Sequence, residues 1–244
     1  MVKSFWRVLA MCCVMVSMPV AAAGVKWPAG GEVVFDITQG EGGMVIGKGV
    51  HRWQHDGRGY RMSTLLETTG LAALLKDFEY TQRSEGDVTP QGLVPRSFVV
   101  EQKGRETETA TFDWRSNSVL VERSKGRRET ETLARGDLDV LSAWHLASVR
   151  PGRELPREIT LVSNRGADPA AVEVVGMQDI SLPVGKLRAL HVRLKAHSGK
   201  LDIGLWLSEQ HGWAPVRVRL QDRKGKVLDH QAVSVKLTAA ADQR

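Results

Sequence analysis

Val216-Arg217-Val218-Arg219-Leu220 alternates apolar and basic residues one for one. In an extended strand this period of two places the apolar side chains on one face and the basic side chains on the other. Residues 190–194 show the same alternation, and in residues 201–207 one face carries four aliphatic side chains. Strands with one apolar and one polar face are typical of antiparallel sheets that face water on one side.

Turn signals separate these segments at the spacing of β-hairpins. Asp56-Gly57, Lys125-Gly126, Ser198-Gly199 and Lys224-Gly225 each stand between two segments of strand character. Glycine favours such turns because it adopts positive φ at low cost. About a dozen short strands at even spacing predict a mainly β fold, either a large curved antiparallel sheet or a partly open β-barrel.

Two segments depart from the strand pattern. Leu71-Ala72-Ala73-Leu74-Leu75 is too rich in alanine and leucine for a strand and predicts a short helical turn. Within residues 137–149, Leu138, Leu141 and Trp144 recur at helical spacing. The sequence therefore predicts one mid-chain helix over residues 137–149.

The first residues have the order of a secretory signal. Lys3 and Arg7 precede an uncharged apolar stretch over 8–20, and alanines at 21–23 supply the small residues needed for cleavage. The stretch of ~13 residues is shorter than the ~20 that a membrane-spanning helix needs. We therefore expect a signal peptide over residues 1–23, cleaved near Ala23, and a periplasmic location.

The remainder of the chain is expected to be a single β-rich domain over residues 24–237 with a disordered tail over 238–244. Both cysteines, Cys12 and Cys13, lie within the predicted signal peptide, so a disulfide or a thiolate metal site is not expected in the mature chain. Removal of the predicted signal peptide, which contains Lys3 and Arg7, would lower the net charge from +6 to +4, a mild excess. Together with export, this charge argues against a nucleic-acid partner and is compatible with an anionic envelope ligand.

Asp139, Ser142 and His145 lie three residues apart on the predicted helix. A serine, a histidine and an acid suggest nucleophilic catalysis, but a working triad usually takes its members from separate elements. The sequence also lacks a Gly-x-Ser-x-Gly motif. We interpret the three residues as a helix with a capping acid and a half-buried histidine, and we assign no catalytic residues.

His51 and His55 have the spacing of metal ligands on a helix, but they approach the Asp56-Gly57 turn in a strand-like segment. On one strand they would lie ~13 Å apart, too far to bind one ion. We expect no metal ion and no other cofactor.

A curved sheet with an apolar concave face would suit an amphipathic ligand. Four arginines on predicted strands are candidates for an anionic headgroup: Arg188, Arg193, Arg217 and Arg219. The alternative is a solvated face that keeps the sheet soluble and protects its edges. Three leucines could form a lid: Leu71, Leu74 and Leu75. The candidate lining residues are Val45, Leu65, Phe98, Phe112, Leu190, Val192, Leu205 and Val218.

Several short motifs occur in a recognisable order: GEVVFDI (31–37), GLVPRSF (92–98), ATFDW (110–114), DLDVLS (137–142), GMQDI (176–180), PVG (183–185), LWLS (205–208) and APV (214–216). Together they resemble the exported bacterial domain-of-unknown-function family 3108. The chain departs from that pattern at Met177-Gln178 and at His145. The resemblance implies a periplasmic, β-rich, single-domain protein and transfers no catalytic residue.

Three functional hypotheses follow. The leading one is a non-enzymatic envelope protein that binds a lipid-like or otherwise amphipathic ligand. The second is an assembly or scaffold factor that binds a protein partner through a sheet edge. The third is a hydrolase of cell-wall or lipid substrates, which would depend on His145.

Overall fold

The structure, a computed structural model, describes residues 27–40, 42–70, 73, 78–150 and 154–238. These residues form one sheet of fifteen strands. The strands are β1 (Gly30–Gln39), β2 (Val45–His55), β3 (Gly59–Thr68), β4 (Glu79–Thr89), β5 (Gly92–Gln102), β6 (Glu108–Asp113), β7 (Ser118–Arg123), β8 (Arg127–Thr132), β9 (Leu138–Asp139), β10 (Glu158–Ser163), β11 (Gly166–Leu182), β12 (Gly185–Ala196), β13 (Leu201–Ser208), β14 (Ala214–Asp222) and β15 (Val227–Thr238).

Two meanders meet in the middle of this sheet. From β1 the strands follow chain order to β8 at one edge, and from β15 they run back in order to β9 at the other edge. β1 pairs with both β2 and β15, which joins the two meanders. The pairings are antiparallel apart from the short parallel contact of β9 with β10. The prediction of a large, mainly antiparallel β-sheet is confirmed.

The two edge strands, β8 and β9, do not pair with each other as they would in a closed barrel. Side chains near the two edges form contacts instead. Asn164 donates a hydrogen bond from its Nδ2 to Glu108 Oε2, and Arg123 Nη1 donates to the Arg165 carbonyl oxygen at 3.4 Å. The sheet therefore curls into a barrel-like shape without closing.

The alternation in β14 sorts its side chains as the sequence indicates. Val216 and Val218 are fully buried, whereas Arg217 and Arg219 remain partly exposed. Large side chains of other strands, including Phe35, join the same interior cluster. The apolar inner face therefore supplies the core of the domain.

The predicted mid-chain helix is wrong. Residues 137–149 contain β9, a single 3₁₀ turn over Ser142–His145 and further turns. Asp139 gives the reason: its Oδ1 accepts hydrogen bonds from the backbone N–H groups of Leu141 and Ser142, at 2.9 and 2.8 Å. A side chain thus binds these backbone donors in a local turn, which competes with a regular helix.

Residues 137–148, here called the inner segment, are buried without interruption. They are anchored to β10: Val140 N–H donates to the Val162 carbonyl at 2.9 Å, and Thr160 N–H donates to Asp137 Oδ1 at 2.7 Å. A segment enclosed on all sides does not need the one-sided burial of an amphipathic helix. The apolar residues at helical spacing are therefore core residues of an irregular segment.

Several predicted features lie wholly or largely outside the described residues. They include the signal peptide over 1–23 and Leu71, Leu74 and Leu75 of the predicted helical turn, of which Ala73 is described and has a helical backbone. β15 extends to Thr238, which the sequence analysis assigned to the tail. In the described part of the chain, the structure contains no helix with the length and apolar character of a membrane span.

Candidate functional site

A cavity of about 440 Å³ lies between the inner face of the sheet and the inner segment. Apolar side chains form much of its wall; they include Leu66, Phe78, Trp144, Leu161, Ile203 and Leu228. Two turns contribute Arg165, between β10 and β11, and Lys200, between β12 and β13. The cavity therefore has an apolar body and basic residues at one end, which we call its mouth.

Strand register gives the depth of the cavity. β13 begins at Leu201, next to Lys200 at the mouth. Four positions further along, Leu205 lies opposite Val218, which in turn lies opposite His230 on β15. At ~3.3 Å per residue, the row that contains His230 lies ~13 Å from the mouth.

His230 is a fully buried lining residue of the cavity. Its Nδ1 lies 3.1 Å from the Val218 carbonyl oxygen, and because a carbonyl only accepts, Nδ1 carries the proton. Burial lowers the pKa of His230 to about 4, so the ring is neutral near pH 7. Its Nε2 is thus a hydrogen-bond acceptor, and it has no partner among the described residues.

The mouth carries two cationic side chains that have no close ion pair in the described structure, although Arg165 lies near enough to the Glu108 carboxylate to interact with it electrostatically. Neither Arg165 nor Lys200 forms an ion pair with another described residue. Asp168 also lines this end, and its carboxylate accepts a hydrogen bond from the Ser198 hydroxyl. The mouth can therefore attract an anionic group.

The four predicted arginines are exposed or partly exposed and lie away from the core. Strand pairing aligns Arg193 with Gly204 and Arg219, while Arg217 lies one row away opposite Trp206. Arg188, earlier on β12, is exposed between the buried Leu187 and Ala189. None of the four arginines lines the cavity.

Two of these arginines have carboxylate partners on neighbouring strands. Arg193 Nε donates to Asp202 Oδ1 at 3.0 Å, and Arg217 binds Asp229 through two hydrogen bonds of 2.9 and 2.7 Å. Arg217 also lies 4.7 Å from the centre of the Trp206 ring. Their role in headgroup binding stays a prediction, and the acids that neutralise their charge were not anticipated.

The predicted lining residues are not among those that surround the cavity. The proposed lid leucines lie outside the described residues, but Leu66 and Phe78, on either side of that segment, line the cavity. No sequence pattern distinguishes Arg165, Lys200 or His230 as site residues. The two basic residues lie in turns, and His230 occupies an alternating position of β15, a signal shared with ordinary core residues.

A second polar cluster connects the sheet to the inner segment through two histidines. The Nε2 atoms of His51 and His145 lie 2.9 Å apart. Trp27 Nε1 donates to His145 Nδ1 at 3.1 Å, and His51 Nδ1 lies 2.8 Å from Thr64 Oγ1. Both histidines are fully buried, so each ring nitrogen in this cluster is satisfied by the protein itself.

Asp139 is the centre of a third cluster. Its Oδ2 accepts hydrogen bonds from Ser84 Oγ at 2.6 Å and Ser142 Oγ at 2.8 Å. Because the Ser84 proton is used on Asp139, Tyr60 donates to Ser84 Oγ, at 3.1 Å. Burial raises the pKa of Asp139, and its four donors oppose that shift.

The second and third clusters do not form a nucleophile–base pair. Ser142 donates to Asp139, whereas the ring nitrogens of His145 bind Trp27 and His51. Nucleophilic catalysis requires a hydrogen bond between nucleophile and base. Among the described residues, no group of three or more His, Cys, Asp or Glu side chains is placed to hold a metal ion.

The architecture defines an open, barrel-like β-sheet protein with an inner segment and an end cavity. A family model described as "Protein of unknown function (DUF3108)" matches residues 34–230. The chain therefore belongs to this family, which confirms the resemblance identified from the sequence motifs.

The fold is similar to that of a solved bacterial protein. The β-barrel-like protein of domain of unknown function DUF1849 from Brucella abortus matches with a TM-score of 0.56 and 12% identity, over 86% of this chain and 98% of that one. MucB, solved in complex with MucA(peri), matches with a TM-score of 0.32 and 13% identity, over 90% of this chain and 54% of that one. No curated protein is significantly similar to the sequence.

Proposed function

We propose that the protein is a non-enzymatic, exported envelope protein that binds an amphipathic, lipid-like ligand in the end cavity. The observation that carries this proposal is the apolar cavity of about 440 Å³ with Arg165 and Lys200 at its mouth, neither of which forms an ion pair with another described residue. Its volume falls within the roughly 300–1,000 Å³ of typical small-molecule sites.

The chemistry of the cavity orients such a ligand. An apolar chain gains ~0.8 kcal/mol for each methylene removed from water, so the chain occupies the apolar interior. The anionic headgroup remains at the mouth, where Arg165 and Lys200 attract it and water still solvates it. The ligand class is therefore an anionic amphiphile.

Native mass spectrometry tests the proposal directly. The mature protein is purified from its own envelope without detergent, and the bound material is then extracted with solvent. A discrete added mass that extracts as an anionic lipid supports the proposal. An apo mass, together with no binding of added fatty acids, contradicts it.

Charge reversal at the mouth provides a second test. Arg165→Glu combined with Lys200→Glu should weaken the binding of an anionic fluorescent amphiphile by about threefold or more, because two attractive charges become repulsive. Lys186→Glu is the matched control, since Lys186 is an exposed residue near the start of β12, at the end remote from Lys200. The control variant should bind like the wild type.

One observation favours a scaffold function as the second candidate. β11 pairs with β10 only up to Ala171, so residues 173–182 form a free edge on that side within the described structure. Exposed apolar residues lie along this edge: Val174, Val175 and Met177, which are 52%, 45% and 37% exposed. Such an edge can accept a strand from a partner.

Crosslinking in the native envelope distinguishes this candidate from the first. Val174→Lys combined with Met177→Lys should abolish capture of a partner that adds a strand to β11. The same double variant should leave amphiphile binding unchanged, because neither residue lines the end cavity.

A further inference from the structure

We infer that the ligand of the end cavity carries a hydroxyl group on its chain, and that this hydroxyl donates a hydrogen bond to His230 Nε2. This inference rests on the proposed function and specifies the chemistry of the same site. The ligand class becomes a hydroxylated, anionic single-chain amphiphile, with its charge at Arg165 and Lys200 and its hydroxyl near the inner end of the cavity.

His230 has a fixed hydrogen-bonding role. Its Nδ1 proton is committed to the Val218 carbonyl, so Nε2 presents a lone pair and no proton. A buried acceptor without a partner is costly, and native proteins leave few of them. An imidazole with one satisfied nitrogen and one unsatisfied nitrogen beside a cavity points to an occupant that supplies the missing donor.

The neighbouring rings do not supply that donor. Phe35 packs edge-on against His230 with ring centres 6.0 Å apart, and Trp144 lies at 6.1 Å. Phe35 has no hydrogen-bonding group, and Trp144 forms no hydrogen bond with His230. Since the described protein groups around His230 leave its Nε2 without a donor, a molecule that enters the cavity can supply one.

The depth and polarity of the site select a hydroxyl among possible donors. An ammonium or guanidinium group at this position would lose its hydration without a counter-ion, and a carboxylate has no proton to donate. A hydroxyl costs less to bury and has the required proton. The distance from the mouth, ~13 Å along the strands, separates the hydroxyl from the headgroup by a chain of several methylenes.

Three probes with the same twelve-carbon acid chain test the inference by calorimetry: ω-hydroxydodecanoate, ω-methoxydodecanoate and dodecanoate. The first two both carry an oxygen at the chain end, but only the hydroxyl can donate. The wild-type protein should bind ω-hydroxydodecanoate about tenfold more tightly than ω-methoxydodecanoate, as expected when a buried acceptor gains its partner.

His230→Phe removes the acceptor and should abolish this preference while retaining binding of dodecanoate. His191→Phe is the matched control, because His191 lies opposite Trp206 on the outer face and does not line the cavity. It should retain the tenfold preference. If His230→Phe fails to fold, the comparison of the hydroxy and methoxy probes in the wild type still decides the question.

Equal wild-type affinity for the hydroxy and methoxy probes would overturn the inference and leave the proposed function standing. Failure of all three probes to bind would overturn the proposed function itself. Loss of the preference in His191→Phe as well as in His230→Phe would assign the hydroxyl contact to another part of the protein and would also overturn the inference.

Discussion

His51 and His145 are 94 positions apart in the sequence, yet their Nε2 atoms lie 2.9 Å apart in the core. His51 belongs to β2, and His145 belongs to the inner segment. This contact connects the inner segment to strand β2 of the sheet. It is fully buried, so no water competes for it.

The hydrogen bonds around this pair have one consistent direction when both rings are neutral. The Trp27 indole can only donate, so His145 Nδ1 accepts and its Nε2 carries the proton. His145 Nε2 then donates to His51 Nε2, and His51 Nδ1 donates to Thr64 Oγ1. Protonation of either histidine would place two donors face to face.

Acid should destabilise the protein through these histidines. Burial lowers the pKa of His51 to about 3, while burial and the neighbouring His51 lower the pKa of His145 well below its usual value. The unfolded chain, with histidine pKa values near ~6.5, binds more protons than the folded chain below that pH. The stabilising contribution is therefore complete above pH ~6.5 and is lost as the pH falls toward the folded-state values.

For His51 alone the loss amounts to roughly 4 kcal/mol over that interval. Urea unfolding at a series of pH values on both sides of ~6.5 measures it as a falling free energy of unfolding. His197→Gln should show the same pH dependence as the wild type, because His197 is exposed. A free energy of unfolding that stays constant on acidification would contradict the conclusion that His51 and His145 are both neutral in the folded protein.

Trp27→Phe should lower the free energy of unfolding, because it breaks the chain of hydrogen bonds from Trp27 through His145 and His51 to Thr64. The variant keeps an aromatic ring beside His55, with which Trp27 stacks at 4.3 Å, but it removes the indole N–H that donates to His145 Nδ1. A buried acceptor left unpaired costs ~1–3 kcal/mol. Urea unfolding at neutral pH measures this loss.

Trp114→Phe is the matched control for that substitution. The Trp114 indole also donates a hydrogen bond, to the Pro95 carbonyl at 2.6 Å, but Trp114 is only half-buried and water can replace the donor. We expect a smaller loss than in Trp27→Phe. If Trp27→Phe and Trp114→Phe lose equal stability, the hydrogen bond from Trp27 to His145 contributes no more than an ordinary half-buried one.

The sequence predicted the structure correctly for strands that have one buried and one exposed face. The alternation in residues 216–220 predicted which side chains of β14 are buried, and the turn glycines predicted where the hairpins reverse. It failed for the inner segment. Leu138, Leu141 and Trp144 have helical spacing because each is a core residue, but the sequence does not show that the segment is covered on every side.

The candidate site depends on relations that only the folded chain contains. His230 occupies an ordinary alternating position, and the missing partner of its Nε2 becomes visible only when its neighbours are placed. The pairing of Arg217 with Asp229 depends on the register between β14 and β15. Sequence patterns identified the faces of the strands but not which residues meet across them.

Asp139→Ala should destabilise the protein strongly because it removes the acceptor that organises the inner segment. Four donors lose their partner: two backbone N–H groups and the hydroxyls of Ser84 and Ser142. Even if the hydroxyls find other partners, the two buried N–H groups are expected to cost at least ~2 kcal/mol. Thermal and urea unfolding measure the loss.

Asp139→Asn is the informative comparison. The amide oxygen can still accept from the backbone N–H groups of Leu141 and Ser142, and the hydroxyls of Ser84 and Ser142 can rotate to accept from the amide nitrogen. The variant should therefore lose less stability than Asp139→Ala. An asparagine variant as unstable as the alanine variant would mean that the negative charge, rather than the acceptor geometry, holds the segment.

Gly86→Ala should disrupt the pairing of β4 with β5. A Cβ at this position would lie 2.2 Å from the Val94 carbonyl oxygen and 2.8 Å from the Pro95 Cα, and backbone atoms cannot rotate away as a side chain can. The register shift between Glu85 and Gly86 marks the same place. Relieving the overlap requires a backbone movement that we expect to cost ~1–3 kcal/mol.

Gly59→Ala tests whether the loss of stability in Gly86→Ala comes from the close contact with the Val94 backbone. Gly59 is on the adjacent strand β3, its φ is not positive, and its Cβ would lie 3.6 Å from the nearest atom, the Gly86 carbonyl oxygen. We expect a change within ~0.5 kcal/mol, or a slight gain because alanine restricts the unfolded chain. Urea unfolding of both variants gives the comparison. Similar losses at the two positions would attribute the effect to strand glycines in general and not to the contact with Val94.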